Sequence, residues 1–504
     1  MFDFTPLIRP YFNRRASIMK HDALNADIAQ QKTLGFLLNK GRKTAYGERY
    51  GFDSIKNADD YRRHVPVITY PDIRDYVLRM VNGERDILWP GLTARFAQSS
   101  GTSDGKSKYI PLTPDSLNLT HYRGAADSVA AYLDLYRDSR LFSGRSFILG
   151  GSFGNTLDTP HPGVKVGDLS AHLIDKINPA ANLVRVPSKS TALLEDWHEK
   201  LPRLVKEAAD NNITNISGVP SWFLTVLKEI IRYKGATTIH DVWPNLEVFF
   251  HGGIAFGPYR EEYDMITDGN HMRYLETYNA SEGFFAVQDK IDSHALLLLM
   301  DVVIYYEFVP LDHIDDPFPP SLTASEVMPG QIYGLVISSC NGLWRYMIGD
   351  TVRVESVNPL RITIAGRTKS FINAFGEELM VFNADAAIRK TCEATGATVV
   401  NYTAAPVYTH GGSKGHHQWL VEFGHRPDDL DAFADILDRQ LTVENSDYQA
   451  KRSGNIFLDR LELTEATPGQ FERWLASTGK LGGQRKIPRL SNDRQVIDAL
   501  LQLR

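Results

Sequence analysis

Strand-like apolar runs alternate with amphipathic helical segments through the middle of the chain. Residues 146–151, 216–220 and 246–253 are short apolar runs that close on Gly or Pro, which is typical of buried strands. Residues 221–235 carry apolar positions at helical spacing and end on Gly. Strands joined by such helices build sheets whose faces the helices cover. The sequence therefore predicts an α/β fold with mixed sheets covered by helices.

A change of pattern near residue 380 predicts a second, smaller domain. The chain has 504 residues, which is more than one hydrophobic core usually organises. Consecutive strand patterns precede the change, and a mixture of helices and strands in a unit of roughly 130 residues, an ordinary domain size, follows it. We expect a large N-terminal domain over residues 1–370 and a smaller α+β C-terminal domain over residues 371–504.

Composition and charge argue against several function classes. The formal net charge of −6 argues against a dominant nucleic-acid-binding surface, so we expect no nucleic-acid partner. The most apolar stretch, residues 294–309, contains Asp301 and is too short to span a bilayer, so we expect buried strands and no membrane span. The N-terminus lacks a signal-peptide pattern, and two cysteines can form at most one disulfide, which is too few to stabilise a chain of this size. We therefore expect a cytoplasmic protein.

The loop from Ser99 to Lys108 has the composition of a polyphosphate-binding loop. Its glycines let backbone N–H groups turn towards an anion, its hydroxyl groups can donate hydrogen bonds, and its lysines supply positive charge. Residues 101–107 have one residue too few between the glycines for a Walker A motif, and no long apolar strand precedes them. A flexible surface loop remains the alternative for this segment taken alone.

Two segments beside predicted strands carry carboxylates. Residues 276–283, Glu-Thr-Tyr-Asn-Ala-Ser-Glu-Gly, put carboxylates and hydroxyl groups on a tight loop, which suits Mg²⁺ and a carboxylate or phosphate. Residues 344–350 end on Asp350, whose two oxygens can accept hydrogen bonds from both hydroxyls of a ribose. Taken alone, each is equally explained as a polar turn.

Two basic segments are bounded by Gly or Pro. Residues 366–379 lie where the pattern changes from the large to the small domain, so we expect a hinge there. Residues 482–489, Gly-Gly-Gln-Arg-Lys-Ile-Pro-Arg, carry a lysine that a mobile loop can bring to a developing negative charge. A solvated basic turn is the alternative.

Two other patterns are set aside. Residues 150–154 fit the Gly-x-Ser-x-Gly nucleophile elbow, but the helix that an elbow requires after its serine is not predicted. His410, His416 and His417 lack regular metal-ligand spacing, and we expect them on a polar loop. Neither pattern supports a hydrolase or a metal centre.

Taken in order, these segments resemble the adenylate-forming superfamily, which includes acyl-CoA synthetases, peptide-synthetase adenylation domains and luciferase. The resemblance is greatest to the Gretchen Hagen family of acyl acid amido synthetases, the auxin-responsive plant enzymes and their bacterial relatives. The segments that carry it, between residues 98 and 489, are SSGTSDGKSKYIPLT, VFFHGG, ETYNASEG, YMIGD, GRTKSFINAFGEEL and GQRKIPR.

The resemblance implies an ATP- and Mg²⁺-dependent ligase. Such an enzyme activates a carboxylic acid as its acyl-AMP in the large domain and passes the acyl group to an amine or amino acid, while the small domain moves. The implied site residues are Ser99, Ser100, Gly101, Thr102, Ser103 and Lys106 for the ATP phosphates; Gly252, Gly253, Tyr278, Asn279 and Ala280 for the adenine; Ser281 for the α-phosphate or the substrate carboxylate; Glu282 for Mg²⁺; Asp350, with Arg367 nearby, for the ribose; and Lys486 for the transition state.

Three positions depart from the family pattern. The loop reads Tyr-Asn-Ala-Ser-Glu instead of Tyr-Ala-Ser-Ser-Glu, Lys369 and Ser370 replace the usual hinge acid, and Gln-Arg-Lys replaces Gln-Tyr-Lys near the C-terminus.

An aromatic acyl pocket is expected near His121 and Tyr122 and around residues 219–223, with ordinary core packing as the alternative.

Two other functions stay open on the sequence alone. An acyl-CoA synthetase of the same superfamily would transfer the acyl group to coenzyme A, and sequence pattern does not fix the acceptor. A non-catalytic nucleotide-binding protein is the other alternative. The joint presence of Glu282, Asp350 and Lys486 argues against it.

Overall fold

Helices cover the faces of β-sheets in this structure, a computed structural model. It describes residues 2–99, 108–153, 161–254, 256–269, 271–367, 371–408, 414–455, 457–477 and 487–503. In chain order the helices are α1 Thr5–Leu24, α2 Ala26–Gly41, α3 Ala45–Arg49, α4 Ala58–His64, α5 Tyr70–Val81, α6 Pro114–Ser116, α7 Tyr122–Leu135, α8 Leu169–Lys176, α9 Pro179–Leu183, α10 Lys189–Ala192, α11 Trp197–Ala209, α12 Pro220–Lys234, α13 Ile239–Val242, α14 Arg260–Ile266, α15 Val381–Thr395, α16 Leu430–Glu444, α17 Ser446–Arg452, α18 Gln470–Ser477 and α19 Gln495–Leu501. Within the residues described, none of these helices is both long and apolar enough to cross a bilayer.

The strands belong to one large sheet and three small ones. In chain order they are β1 Arg95–Ser99, β2 Lys108–Pro111, β3 Arg145–Ile148, β4 Lys165–Gly167, β5 Arg185–Val186, β6 Ile213–Gly218, β7 Val248–His251, β8 Arg273–Ala280, β9 Gly283–Gln288, β10 Leu296–Leu298, β11 Ile304–Pro310, β12 Ile332–Ser339, β13 Leu343–Val357, β14 Leu360–Arg367, β15 Phe371–Ile372, β16 Leu379–Met380, β17 Thr398–Tyr408, β18 Gly415–His425 and β19 Glu462–Glu465. The small sheets have the orders β2-β1-β4, β15-β16 and β17-β18-β19.

The main sheet is mixed, and its strand order is β11-β12-β13-β14-β10-β9-β8-β7-β6-β3-β5. The strands from β5 to β8 pair in parallel, whereas those from β8 to β11 pair antiparallel. Helices α12 and α13 connect β6 to β7, and α14 connects β7 to β8. The predicted α/β fold with mixed sheets is confirmed.

Local sequence explains the parallel half. All four residues of β7, Val-Phe-Phe-His, are buried, because helices cover this part of the sheet on both faces. Helix α12 begins with Pro220, which suits a first helical turn. It ends at Gly235, whose φ of 64° is the left-handed conformation that glycine adopts without strain.

The residues after 370, here called the C-terminal unit, form an α+β arrangement packed against the rest of the chain. The Tyr259 hydroxyl donates a 2.7 Å hydrogen bond to the Ala374 carbonyl. The rings of Trp222, on α12, and Phe457 stack at 5.6 Å, and Lys451 Nζ lies 3.8 Å from the Trp222 ring centroid. Aromatic and cation–π contacts therefore hold this unit against α12, and a hydrogen bond holds it against the turn that contains Tyr259.

Two sequence expectations about local structure are wrong. The Pro, Gly and Asn content of residues 155–190 predicts irregular or hairpin structure, yet the segment contains helix α8, which buries Ala171, His172 and Ile174. His416 and His417 lie on strand β18 and not on a polar loop, whereas His410 lies outside the described residues. His417 is fully buried, and its Nε2 pairs with Glu377 Oε1 at 2.7 Å. A buried polar group needs such a partner, and spacing along the sequence does not reveal one.

A buried ion pair ties the N-terminal helices to the antiparallel half of the main sheet. Arg345 on β13 is 4% exposed, and its Nε lies 3.0 Å from an oxygen of Glu307 on β11, which is 0% exposed. The same guanidinium donates to the carbonyls of Arg62 and Val65 and to the Ser321 hydroxyl. Arg345 belongs to the segment that ends on Asp350, but its role is structural.

We expect Glu307→Ala to lower the free energy of unfolding by about 3–5 kcal/mol, because it leaves the Arg345 guanidinium buried without its carboxylate. Urea denaturation followed by circular dichroism measures the change. The control is Asp435→Ala, which removes the exposed 2.5 Å pair with Arg460 and should cost less than about 1 kcal/mol. Equal losses in the two variants would contradict this account.

Candidate functional site

A cavity of about 1030 Å³ opens where β7 and β8 end. The carboxyl edge of parallel strands is where ligands bind in open α/β sheets. Strands β13 and β14 add Ile348, Asp350 and residues 363–366 to the wall, and the C-terminal unit adds Asn373 and Glu378. The volume is large enough for a nucleotide together with a second small substrate.

The glycine pair after β7 allows the chain to turn beside β8. A Cβ atom on Gly252 would lie 2.4 Å from the Thr277 carbonyl oxygen, so only glycine fits without moving backbone. Gly253 has a φ of 86° and lines the cavity. The Thr277 hydroxyl donates a 3.1 Å hydrogen bond to the His251 carbonyl, which fixes the two strand ends to each other.

The turn between β8 and β9 places a buried carboxylate in the cavity. Ala280 pairs with Gly283, so Ser281 and Glu282 form a two-residue turn at the end of the hairpin. Glu282 is 6% exposed, and burial raises the pKa of its carboxyl group. The Lys108 ammonium lowers that pKa, whereas Glu378 and Asp350 raise it further. A cation bound at this carboxylate would offset the cost of burying its charge.

Asp350 is joined to β8 by a hydrogen bond. The Tyr278 hydroxyl donates to Asp350 Oδ2 over 2.6 Å. Asp350 also pairs in register with Arg367 across β13 and β14, so the backbones of these two predicted site residues are neighbours. The adenine and ribose positions implied by the resemblance therefore adjoin each other.

A hairpin brings both ends of the hydroxyl- and glycine-rich loop to the site. Ser99 on β1 pairs with Lys108 on β2, and the Lys108 side chain lines the cavity. The loop itself, residues 100–107, lies outside the described residues. Of the two flanking residues, Lys108 lines the cavity together with Glu282, and its charge lowers the pKa of Glu282.

Aromatic rings form one wall of the cavity. His251 and Phe256 are stacked at 4.3 Å, and Phe256 lies 4.8 Å from Tyr274. The Arg260 guanidinium lies 4.6 Å from the Tyr274 ring centroid. Burial lowers the pKa of His251 to about 3, so the imidazole stays neutral. Such a wall suits a planar, uncharged ring such as adenine.

The predicted site residues fall into three groups. Gly253, Tyr278, Asn279, Ala280, Ser281, Glu282 and Asp350 line the single cavity described above, and Gly252 packs against Thr277 beside it. Ser99 and Arg367 are placed next to it by backbone pairing. The predicted site residues that lie outside the described residues are Ser100, Gly101, Thr102, Ser103, Lys106 and Lys486. The individual roles of all these residues stay predictions.

The expected acyl-pocket residues occupy different environments. His121 is 2% exposed, and burial lowers its pKa to about 4. The Tyr122 hydroxyl donates to the Leu173 carbonyl over 2.7 Å. Phe223 packs in the core against Phe147 and Phe249, which is the ordinary alternative stated above. Trp222 instead contacts the C-terminal unit.

Several cavity residues are not among those that the sequence predicts. Lys108 ends the polar loop, and its positive charge beside the glycines is the signal that marks it. Asn373, Glu378, Tyr408 and Asn492 come from the C-terminal unit and reach the cavity only through tertiary packing. Asn373 and Glu378 belong to the predicted hinge segment, where the pair of glutamates is a signal of a polar site.

Models of the three domains of one protein family match most of the chain. The model of the GH3 family N-terminal domain matches residues 15–179 and 163–272, that of the GH3 family central domain matches residues 297–367, and that of the GH3 family C-terminal domain matches residues 382–495.

Curated relatives are plant amido synthetases. The indole-3-acetic acid-amido synthetase GH3.2 of Arabidopsis thaliana is 24% identical over 66% of this chain and 71% of its own length. The indole-3-acetic acid-amido synthetase GH3.8 of Oryza sativa subsp. indica is 24% identical over 94% of this chain and 90% of its own length. The jasmonoyl–L-amino acid synthetase GH3.5 of Oryza sativa subsp. japonica is 23% identical over 67% of this chain and 70% of its own length.

Solved structures share the fold. GH3.15 acyl acid amido synthetase superposes with a TM-score of 0.61 at 18% identity, over 97% of this chain and 95% of that one. A 2-hydroxyisobutyryl-CoA ligase superposes with a TM-score of 0.58 at 15% identity, over 94% of this chain and 91% of that one.

We expect Gly252→Ala to weaken nucleotide binding and to lower the free energy of unfolding by about 1–3 kcal/mol, because the new methyl group would meet the Thr277 carbonyl. Gly257→Ala is the matched control, since Gly257 lines the same cavity and a Cβ there meets no atom within 4 Å. Isothermal titration with ATP and urea denaturation measure the two effects. Indistinguishable variants would refute the steric explanation.

Proposed function

Since the chain belongs to the GH3, or Gretchen Hagen, family, we propose that its cavity activates a carboxylic acid with ATP as an acyl adenylate and passes the acyl group to an amino acid. The chain is thus a ligase of the adenylate-forming class, which uses ATP. The observation that carries the proposal is the meeting of Glu282, Asp350 and Lys108 at one end of the main sheet. The acceptor is inferred from the relatives, whose names specify amido synthesis.

ATP would lie across the ends of β7 and β8. We assign the adenine to the space beside Gly253, Tyr278 and the aromatic wall, and the ribose to Asp350, which Tyr278 orients. The phosphates would then meet Lys108 and the loop before it. Lys106 and Lys486 would add positive charge, a role that rests on the resemblance.

Glu282 fits a magnesium ligand. Within the described residues, no cluster of three or more metal-ligating side chains occurs. Mg²⁺ is commonly held by one or two carboxylates together with substrate phosphates and water, so a single buried carboxylate beside the phosphates is sufficient. Bound there, Mg²⁺ would neutralise phosphate charge.

The chemistry explains these residue types. The substrate carboxylate must approach the α-phosphorus of ATP, and both groups are anionic, so lysines at the phosphates reduce their repulsion. The oxygen–phosphorus bond forms and pyrophosphate leaves with the electron pair of the broken bond. The acyl adenylate has a good leaving group, AMP, which an amine can displace.

The two free cysteines, one buried and one half-buried, support a reducing compartment such as the cytoplasm.

Residues 1–370 and the C-terminal unit would act as separate domains, with residues 366–376 as the hinge. The C-terminal unit supplies part of the cavity wall, so its movement would change which side chains face the reacting atoms. In the present arrangement Asn373 and Glu378 face the cavity, and residues 478–486, which include Lys486, lie outside the described part.

We expect Glu282→Gln to reduce pyrophosphate release at least about 100-fold, because it removes a charge-stabilising group without changing side-chain size. The assay mixes the protein with ATP, Mg²⁺ and a pool of carboxylic acids and follows AMP and pyrophosphate, with amino acids, coenzyme A or hydroxylamine as acceptors. Glu355→Gln, at an exposed position on the same strand as Asp350, should leave the rate unchanged.

Three results would contradict this proposal. ADP and phosphate as products would refute adenylation, and thioester formation in preference to amide would identify coenzyme A as the acceptor. ATP binding without turnover on any acid would favour a nucleotide-binding protein.

We expect Trp222→Ala to change the rate of one half-reaction about tenfold relative to the other, because it removes the ring on which Lys451 and Phe457 dock. Tyr233→Ala, at a position on the same helix that is 58% exposed, should alter neither. Pyrophosphate exchange measures adenylation, and amide formation from purified acyl adenylate measures transfer. Equal loss in both half-reactions would argue against domain movement.

A further inference from the structure

Glu378 is a carboxylate that the C-terminal unit contributes to the cavity. The residue is half-buried, and the other described acidic residues that line the cavity, Glu276, Glu282, Asp292 and Asp350, all precede residue 370. The charge of Glu378 raises the pKa of Glu282, so the two carboxylates interact. Among the described carboxylates of the cavity, Glu378 is therefore the one that would move with the C-terminal unit.

The loop that carries Glu378 is held in place from within the C-terminal unit. The buried side chain of Glu377 accepts hydrogen bonds from the backbone N–H groups of Ala374 and Phe375, at 3.2 and 2.6 Å, and pairs with His417 at 2.7 Å. The Asn445 amide donates to the Glu378 carbonyl over 3.1 Å. Together these bonds make the loop a fixed support.

The large domain holds the same loop from the other side. The Tyr259 hydroxyl donates to the Ala374 carbonyl at 2.7 Å, and the Ser221 hydroxyl donates to the Phe375 carbonyl at 3.3 Å. The docked C-terminal unit thus presents Glu378 to the cavity in one position, and undocking would withdraw it.

The backbone at Glu378 is strained. Its φ is 37°, in the left-handed region that favours glycine. Gly376, two residues earlier, has a φ of 89°, so the loop contains two residues in this region. Such strain persists where the surrounding structure over-determines the conformation. Here the conformation directs a carboxylate into the cavity, which a glycine at this position would not provide.

We propose that Glu378 binds the amino group of the acceptor and takes its proton during acyl transfer. This inference rests on the proposed function and extends it to the second half-reaction. An amino acid arrives as an ammonium ion, and a carboxylate attracts it through a charge-assisted hydrogen bond. Among the described carboxylates of the cavity, Glu378 is the one that the C-terminal unit carries, so movement of that unit can bring it to the reacting carbon for the second half-reaction.

Acyl transfer to the acceptor releases AMP and two protons. The acceptor ammonium first loses one proton to solvent, and its nitrogen lone pair bonds to the acyl carbon. The bond from that carbon to the AMP oxygen breaks, and its electron pair leaves on AMP. The remaining excess proton on nitrogen, made acidic by the new bond, passes to the Glu378 carboxylate and then to solvent.

The test separates the two half-reactions in Glu378→Gln, which keeps the backbone and the size of the side chain. Acid-dependent exchange between pyrophosphate and ATP should match the wild-type rate within about twofold. Amide formation with the amino acid should fall about 100-fold or more, the usual contribution of a general base. Hydroxamate formation should persist, because a nitrogen bonded to oxygen gives a more acidic adduct whose proton water can take.

Two further variants control for structure. Glu378→Asp keeps the carboxylate and should recover part of the amide rate, whereas Glu393→Gln, an exposed position on α15, should change nothing. Unchanged thermal unfolding midpoints exclude misfolding as the cause of a loss.

Each remaining outcome overturns the inference. An unchanged amide rate in Glu378→Gln would show that the carboxylate does not serve the acceptor. A parallel fall in exchange, hydroxamate and amide would place Glu378 at the nucleotide. If the wild-type protein itself shows no acid-dependent exchange, the proposed function fails first and the inference falls with it.

Discussion

Strand β8 pairs in parallel with β7 and antiparallel with β9, and the position of the cavity depends on this change of direction. The parallel half brings the carboxyl ends of its strands to one edge, where Gly252 lets the chain pass close to the Thr277 carbonyl and Gly253 lines the cavity. The antiparallel half begins with the turn that carries Glu282. Backbone glycines and a buried carboxylate therefore meet at a single point of the sheet.

Buried carboxylates are the main electrostatic constraint on this fold. In three of them, Glu307, Glu377 and Glu282, different neighbouring groups offset the cost of burying the charge. Glu307 is paired with Arg345, which fixes N-terminal helices to the sheet. Glu377 is paired with His417 and with backbone N–H groups, which fixes a loop of the C-terminal unit. Glu282 instead faces Lys108 across the cavity, and its pKa is raised. The first two carboxylates are structural, whereas the third is in the environment expected of a functional group.

The C-terminal unit completes the cavity and is not merely appended to it. Trp222 and Tyr259 of the large domain contact it directly, and its loop at 373–378 forms part of the wall. A ligase with two successive half-reactions requires different groups at the same reacting carbon. A unit that supplies one wall can change those groups by moving, which connects this packing to the proposed hinge.

Hydrophobic periodicity and turn residues are local signals, and they are sufficient to predict the α/β fold, the change of pattern near residue 380 and the segments around Glu282 and Asp350. They do not predict helix α8, whose short apolar pattern follows a Gly- and Pro-rich stretch, or the pairing of the buried His417 with Glu377. The meeting of Lys108, Asp350 and Glu378 with Glu282 in one cavity depends on tertiary structure. The pairing of strands and the docking of the C-terminal unit bring together residues far apart in the chain, and no local property of the sequence records those distances.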